Sequence, residues 1–329
     1  MYQAAPAEIF SAIRAIAADD QIIELRALQV PGPDGFRRTV SGFFDNLELF
    51  AQKAAELSDA GAKGVYFTPN PVKSTSKVTP LNQVKVATRG SATTDTDIES
   101  IQWLLVDVDP CRKAGTSASE VEKVAAKRVC VHVTKYLRGL SWPEPLIGDS
   151  GNGYHLMYRL TGGTVETNRE ILDTLAFLFN TNEAQIDQLV FNPSRIWKVY
   201  GTWPRKGDNS AQRPYRKATL LNPTQVIAPV SRQQQDAFAG ALPMDVPLDG
   251  EAGRTADLDI WVNEHFPQAE GPEAWAGRGR KWVFNVCPWD SSHTDRSAYI
   301  VQFNSGAIAS GCLHESCKGH GKDDKGHAV

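Results

Sequence analysis

The sequence has no apolar run that approaches the roughly 20 residues needed to cross a bilayer, which excludes a transmembrane helix. The N-terminal stretch MYQAAPAEIFSAIRA lacks the basic start and apolar core of a secretory signal, so we expect a cytoplasmic protein. An excess of positive charge is also missing: the net charge is −3, and any surface for nucleic acid must therefore be local. Cysteine is scarce and odd in number, at five, which favours metal binding over disulfides.

The remaining pattern is that of an α+β protein. Apolar periodicity predicts helices over Ala7–Ala17, Asp45–Ala60, Ser119–Arg138 and Arg169–Phe179. Strands are predicted over Gln21–Val30, Gly64–Thr68, Ile101–Pro110, Arg195–Tyr200 and Tyr215–Leu221, with a hairpin formed by Pro145–Asp149 and Tyr154–Leu160. This mixture favours α+β over a doubly wound parallel sheet. A change of composition after Asn222 predicts a core at 1–222, a linker at 223–255 that includes a short helix, and a small unit at 256–329.

The most informative stretch is Ile101–Pro110, IQWLLVDVDP, in which an apolar strand ends in two carboxylates. Asp107 and Asp109 are two residues apart and therefore project from the same face of the strand. Adjacent anions repel one another, and a hard divalent cation such as Mg²⁺ or Mn²⁺ commonly neutralises them. Two alternatives stay open for this pair alone: a helix cap or turn, and the D-x-D of glycosyltransferases that bind nucleotide sugars.

Other polar residues are candidates for the same site. Asp187 can add a third carboxylate, and three acids that hold two metals suit in-line attack of a 3′-hydroxyl on an α-phosphate. His155 follows the turn Ser150–Gly153, whose Gly151 and Gly153 allow backbone N–H groups to approach an anion, although a hydrogen-bonded strand histidine is the common alternative. The segment 195–217 holds seven basic residues against one acid and is interpreted as a nucleic-acid patch or a solvated basic loop.

In order along the chain, VDVDP, SGNGYH and ID…NPSRIWKVYGT…K resemble the three motifs of the archaeo-eukaryotic primase superfamily, particularly the primase-polymerases of phages, plasmids and mobile elements. The resemblance implies a core with mixed or antiparallel sheets, covering helices and an RRM-like half. It implies that the three aspartates bind Mg²⁺ or Mn²⁺ and that His155 contacts the phosphates of the incoming nucleotide. Gly153 stands where the family commonly has serine. Further residues are expected near nucleotide or template, namely Ser150, Gly151, Gly153, Arg195, Lys198, Gly201, Thr202 and Lys206.

The C-terminal unit carries a second motif, Cys287-x5-His293 followed by Cys312-x4-Cys317. Four such ligands at two knuckles suit tetrahedral Zn²⁺, and the residues between them predict two short strands of a zinc ribbon. His314 and His320 are alternative ligands. Trp282, Phe284 and Trp289 are candidates for stacking on bases or for packing around the metal. A similar module follows the catalytic core in several primase-polymerases, where it is associated with template contact and initiation.

The sequence leaves three hypotheses for the function. The leading hypothesis is a DNA primase-polymerase that makes or extends primers on single-stranded DNA from NTPs or dNTPs. A non-catalytic single-strand or origin DNA-binding replication protein is the main alternative, and a nucleotide-sugar glycosyltransferase is the third. A helicase, in the same or a separate chain, is an expected partner.

Overall fold

The computed structural model describes residues 2–75, 78–242, 258–275 and 277–317. The chain divides into two compact units. The first contains residues up to 176 together with 180–236, and the second contains 177–179 and the described residues beyond 236. The predicted linker thus begins inside the first unit, where Val230 is buried and forms a β-bridge with Leu160. Among the described helices, none combines the length and the apolar character required to span a membrane.

The described elements are those of an α+β protein, as predicted. The α-helices are α1 (Pro6–Arg14), α2 (Leu47–Asp59), α3 (Glu120–Gly139), α4 (Val165–Phe179), α5 (Arg232–Ala239) and α6 (Leu258–His265). The strands are β1 (Ile23–Pro31), β2 (Arg37–Phe44), β3 (Gly64–Phe67), β4 (Lys85–Val86), β5 (Ile101–Pro110), β6 (Leu146–Asp149), β7 (Tyr154–Gly163), β8 (Ala184–Ile186), β9 (Trp197–Lys198), β10 (Thr219–Leu220), β11 (Ala269–Trp275), β12 (Gly279–Phe284), β13 (Ala298–Phe303) and β14 (Ile308–Cys312).

The first sheet has the order β4-β2-β1-β3-β9, and all its pairs are antiparallel. One face is apolar, and α2 covers it by placing Phe50 against Phe44 and Phe67, with ring centroids 5.7 and 6.2 Å apart. The register places a row of polar residues on the opposite face, across the whole sheet. This row is Lys85, Ser41, Arg26, Tyr66 and Lys198. The first sheet therefore presents a polar face that ends at Lys198.

The second sheet has the order β10-β6-β7-β5-β8 and positions the candidate site. Its central strand β5 lies between β7 and β8, both antiparallel to it. The four residues from Trp103 to Val106 are buried, and α3 packs against this region of the sheet. Helix α3 begins at Glu120, and the side chains of the preceding Ser119 and of Glu122 form a reciprocal cap. Because the middle of β5 is buried, Asp107 and Asp109 become partly exposed only near its C-terminal end.

The second unit contains the antiparallel four-stranded sheet β11-β12-β13-β14. The two predicted strands correspond to β13 and β14. Strands β11 and β12 were not predicted, and in β11 Gly271 and Pro272 interrupt the alternation of AEGPEAW. Trp282 and Phe284 are buried in the core of this unit together with the cysteines of the C-terminal motif. These two rings therefore pack within the unit. Their burial contradicts the prediction that they stack on bases.

Candidate active site and metal centre

Three carboxylates and one histidine meet at the end of β5. Asp107 pairs with His155 of β7 in the antiparallel register. On the other side of β5, the backbone N–H of Asp187 donates to the Asp107 carbonyl at 2.8 Å, directly after β8 ends. Asp109 lies two residues further along β5 and projects from the same face as Asp107. The fold thus brings His155 and Asp187, which are distant in the sequence, to the pair Asp107 and Asp109.

The carboxylates of this cluster repel one another, and a bound cation would offset that repulsion. Desolvation, followed by repulsion from Asp109 and Asp187, raises the pKa of Asp107 well above its ordinary value. Lys198 and Lys206 act in the opposite direction, since their positive charges favour the ionised carboxylate. The Asp107 side chain is 25% exposed, so a ligand can reach it. A divalent cation would relieve the repulsion, and oxygen ligands of this kind fit Mg²⁺ or Mn²⁺.

The two outer carboxylates are oriented by the protein. Asp109 Oδ1 lies 3.3 Å from Arg112 Nη1. Asp187 Oδ1 accepts the backbone N–H of Leu189 at 2.8 Å, a short local loop that fixes its side chain. Each contact engages Oδ1 of its carboxylate. These two contacts restrict the orientation of the Asp109 and Asp187 side chains.

His155 is a buried, neutral imidazole at the edge of the cluster. Its Nε2 lies 3.5 Å from Asp107 Oδ1, and its Nδ1 lies 2.9 Å from the hydroxyl of Tyr200. Its ring packs against Trp197, with centroids 4.0 Å apart. Burial, together with the positive charge of Lys198, lowers the pKa of His155 well below its ordinary value. At neutral pH this side chain therefore has one N–H donor and no charge.

The turn between β6 and β7 is tied to the protein itself. The backbone N–H of Gly151 donates to Asp149 Oδ1 at 2.7 Å, and that of Gly153 donates to Ser150 Oγ at 2.9 Å. The N–H of Ser150 in turn donates to the Gly153 carbonyl at 3.0 Å. The amide N–H groups of Ser150, Gly151 and Gly153 are therefore engaged within the turn in this structure.

Gly153 has a steric reason to lack a side chain. A Cβ at this position would lie 2.3 Å from the Val108 carbonyl oxygen and 2.9 Å from Asp109 Oδ1. The first contact is to backbone within the sheet, which cannot move aside. The absence of a side chain at Gly153 thus allows the start of β7 to approach the end of β5 closely.

Substituting Gly153→Ala is expected to destabilise the protein by about 1–3 kcal/mol, as overpacking does. The new methyl group would displace Asp109 from its orientation and weaken the binding of Mg²⁺ or Mn²⁺. Thermal unfolding without and with the cation measures the two effects. Gly139→Ala is the matched control, because a Cβ there meets no atom within 4 Å. Equal behaviour of the two variants would contradict the steric explanation.

The basic segment 195–217 is for the most part engaged within the protein, which corrects its interpretation as one nucleic-acid patch. Arg205 donates to the carbonyls of Ser58 and Ala62 near the end of α2. Three other basic residues form ion pairs with acids of α1 and α3. These pairs are Arg213–Glu122 at 2.7 Å, Arg216–Glu120 at 2.6 Å and Lys217–Glu8 at 2.5 Å. Lys198 and Lys206 differ, since both act electrostatically on Asp107.

Two further predicted residues serve the fold. Thr202 is fully buried, and its hydroxyl donates to the Val199 carbonyl at 2.6 Å. Arg195 Nη2 donates to the carbonyl of Leu189. Gly201 has a positive φ of 93°. Thr202 and Arg195 thus form hydrogen bonds within the protein, and Arg195 contacts the loop that follows Asp187.

Three aromatic residues of the site were not predicted. Tyr200 and Trp197 contact His155, and Tyr66 accepts a hydrogen bond from Lys198 Nζ at 2.8 Å. The Lys198 ammonium also lies 4.0 Å from the centroid of the Tyr66 ring. Trp197 and Tyr200 lie within the third motif, IWKVYGT, so the sequence contained a signal for them. Tyr66 lies in another strand, and only the β3–β9 register connects it to Lys198.

The second unit holds a group of four side chains that can bind a metal ion. Cys287, His293, Cys312 and Cys317 offer ligand atoms that all lie within 4.8 Å of one another. The nitrogen that faces the thiols is His293 Nδ1, which lies 3.4 Å from Cys317 Sγ and 3.7 Å from Cys312 Sγ. Three sulfurs and one imidazole are the donor set of structural zinc sites. Burial raises the pKa of Cys312 to about 12, and a bound metal ion would favour its thiolate form.

The other nitrogen of His293 and the neighbouring His314 are held by carboxylates. His293 Nε2 lies 3.4 Å from Asp290 Oδ2, an outer contact of the kind that orients metal-bound histidines. His314 Nε2 lies 2.7 Å from Asp295 Oδ2, and its ring stacks on His293 with centroids 3.8 Å apart. His314 thus lies beside the four-residue group. The alternative ligand His320 lies outside the described residues.

Comparison with known proteins gives weak similarities. Neither a protein-family model nor a curated protein matches the chain. Among solved structures, a crystal structure of primase RepB′ matches with a TM-score of 0.38 and 13% identity, over 71% of this chain and 60% of that one. The match thus spans less than two thirds of that primase chain. A crystal structure of the catalytic domain of primase RepB′ in complex with initiator DNA matches with a TM-score of 0.37 and 14% identity, over 71% of this chain and 94% of that one.

Proposed function

We propose that this chain is a template-directed nucleotidyltransferase, a primase-polymerase that makes or extends primers on single-stranded DNA. The observation that carries the proposal is the convergence of Asp107, Asp109, Asp187 and His155 at the end of one strand. These are the residues of the three sequence motifs that resemble the primase superfamily. Their order in the sequence follows that of the three motifs, and their proximity in the fold supports the proposed activity.

Each residue has a chemical role in this reaction. The three carboxylates would hold two divalent cations, which lower the pKa of the attacking 3′-hydroxyl and stabilise the pyrophosphate that leaves. His155 donates its single N–H to a phosphate oxygen of the incoming nucleotide. Lys198 and Lys206 place positive charge beside the same phosphates, and Tyr66 holds the Lys198 ammonium in place.

The test is incorporation of labelled NTPs or dNTPs on a single-stranded template with Mg²⁺ or Mn²⁺. We expect synthesis that depends on the template and stops when the metal is chelated. Tight binding of single-stranded DNA without any incorporation would contradict the proposal and favour the DNA-binding alternative. Binding of UDP-sugars, but not of nucleoside triphosphates, in a thermal-shift measurement would favour a glycosyltransferase.

Lys198→Gln is expected to raise the KM for the nucleotide about tenfold or more, because a charge-assisted contact to phosphate is lost. Lys217→Gln is the matched control from the same basic segment, since its ammonium already pairs with Glu8. Steady-state incorporation kinetics of both variants measure the difference. If the two substitutions raise KM equally, the segment acts as a diffuse patch and the specific role of Lys198 is wrong.

We also propose that the four-residue group of the second unit binds Zn²⁺ and that this unit supports initiation on the template. Its donor set and its buried position support the zinc assignment. The role in initiation comes from the resemblance to modules that follow the catalytic core in other primase-polymerases.

A further inference from the structure

The Tyr200 side chain is held beside the candidate active site by two hydrogen bonds, in a space that a glycine of the second sheet leaves open. Its hydroxyl lies 2.9 Å from His155 Nδ1 and 3.1 Å from Trp197 Nε1. Tyr200 and His155 are 2% and 4% exposed, so water does not compete freely for these bonds. The space for the tyrosine comes from Gly148 of β6, where a Cβ would lie 2.3 Å from the Tyr200 hydroxyl oxygen.

The chemistry of the donors fixes the direction of these hydrogen bonds. The indole N–H of Trp197 can only donate, so Tyr200 accepts from it. The hydroxyl proton of Tyr200 then has two acceptors within reach, His155 Nδ1 at 2.9 Å and Met157 Sδ at 3.9 Å. A thioether is the weaker acceptor. The proton therefore points to His155 Nδ1, which must be the unprotonated nitrogen of the ring.

The other edge of the imidazole favours the same tautomer when Asp107 is ionised, as it must be to bind a cation. His155 Nε2 lies 3.5 Å from Asp107 Oδ1. With the proton on Nδ1, the lone pair of Nε2 would face the oxygen of that carboxylate and be repelled by it. With the proton on Nε2, the same nitrogen presents an N–H toward the carboxylate cluster. The packing of the ring against Trp197, at 4.0 Å, fixes the direction of that N–H.

We propose that Tyr200 is a positioning residue that holds His155 in the Nε2–H tautomer and so aims its single N–H at the phosphates of the incoming nucleotide. The proposal rests on the proposed function, in which His155 contacts those phosphates. Tyr200 itself touches neither nucleotide nor metal. Gly148 and Trp197 serve the same purpose, since one leaves the space for the hydroxyl and the other supplies its donor.

Tyr200→Phe tests the proposal, because it removes the hydroxyl and keeps the ring. In protein labelled with ¹⁵N-histidine, we expect the wild type to show His155 protonated on Nε2 only. The variant should show a mixture of both tautomers. The signals of His155 are identified as those lost in His155→Gln. In incorporation kinetics, the KM for the nucleotide should rise about three- to tenfold, as expected for one lost hydrogen bond, with a smaller change in kcat.

Tyr158→Phe is the matched control. Tyr158 is a buried tyrosine of β7 on the opposite face from His155, and its ring packs against Trp142 with centroids 5.4 Å apart. We expect wild-type tautomer signals and KM in this variant. A single Nε2–H tautomer that persists in Tyr200→Phe, or an Nδ1–H tautomer in the wild type, would overturn the proposal. The spectra need no activity, so an inactive wild type would refute the proposed function and leave the tautomer result to stand by itself.

Discussion

The double substitution Asp107→Asn plus Asp109→Asn should abolish nucleotide incorporation, by about a thousandfold or more, while the metal-free protein becomes more stable to heat. The loss of activity follows because two of the three carboxylates can no longer hold the cations, which supply several kcal/mol of transition-state stabilisation. Asparagine keeps the size of the side chain. The effect therefore reports the charge and not a change of packing.

The gain in stability follows from the pKa of Asp107. Desolvation and the charges of Asp109 and Asp187 raise this pKa, so the folded protein binds the proton more tightly than the unfolded chain does. For the metal-free wild type, the free energy of unfolding should therefore fall as the pH rises from the ordinary aspartate pKa through the raised one. The variant lacks this dependence on Asp107. Its advantage should appear at neutral pH and vanish in acid.

Thermal unfolding with and without Mg²⁺ or Mn²⁺ completes the experiment. The cation should raise the melting temperature of the wild type and leave that of the double variant unchanged, since only the wild type binds it in the folded state. Asp236→Asn is the control, because its carboxylate lies on the surface of α5 beside Arg232, where ion pairs contribute little. Full activity in the double variant would refute the two-metal mechanism.

The parts of the site that could be predicted from the sequence are those set by local pattern. The apolar run of β5 ends in Asp107 and Asp109, and strand alternation alone places both on one face. The hairpin around Ser150–Gly153 was predicted from its glycines, and the structure has β6 and β7 on either side of it. Helices α1 to α4 were likewise predicted, although α4 begins four residues earlier than expected, at Val165.

What could not be predicted depends on pairing between distant segments. Strand β8 has three residues, too few to show a period, yet its register with β5 is what sets Asp187 beside Asp107. The basic segment shows the same limit. Its arginines look unpaired in the sequence because their partners, Glu120 and Glu122, lie at the start of α3, more than 90 positions away.

Cys312→Ser should remove zinc from the second unit and unfold it. The candidate zinc ligands belong to the core of this unit, where Cys287, Cys312 and Cys317 pack with Trp282 and Phe284. Structural zinc contributes about 10–16 kcal/mol of apparent binding free energy in zinc-finger peptides, so a core this small depends on it. Metal content and hydrogen exchange of β11–β14 measure the loss. Cys111→Ser is the matched control, since this thiol is exposed and lies in the first unit.

A second pair of variants separates the candidate ligands. Cys317→Ser should lose zinc, whereas His314→Ala should retain it, because Asp295 already holds His314 Nε2. The reverse result would exchange the two assignments.

The role of the unit is tested by a chain that ends after Gly240, beyond helix α5 and the last buried residues of the first unit. That chain should extend a primer and fail to start one, because the carboxylate cluster lies wholly in the first unit. Initiation by the shortened chain would show that the zinc unit serves another purpose.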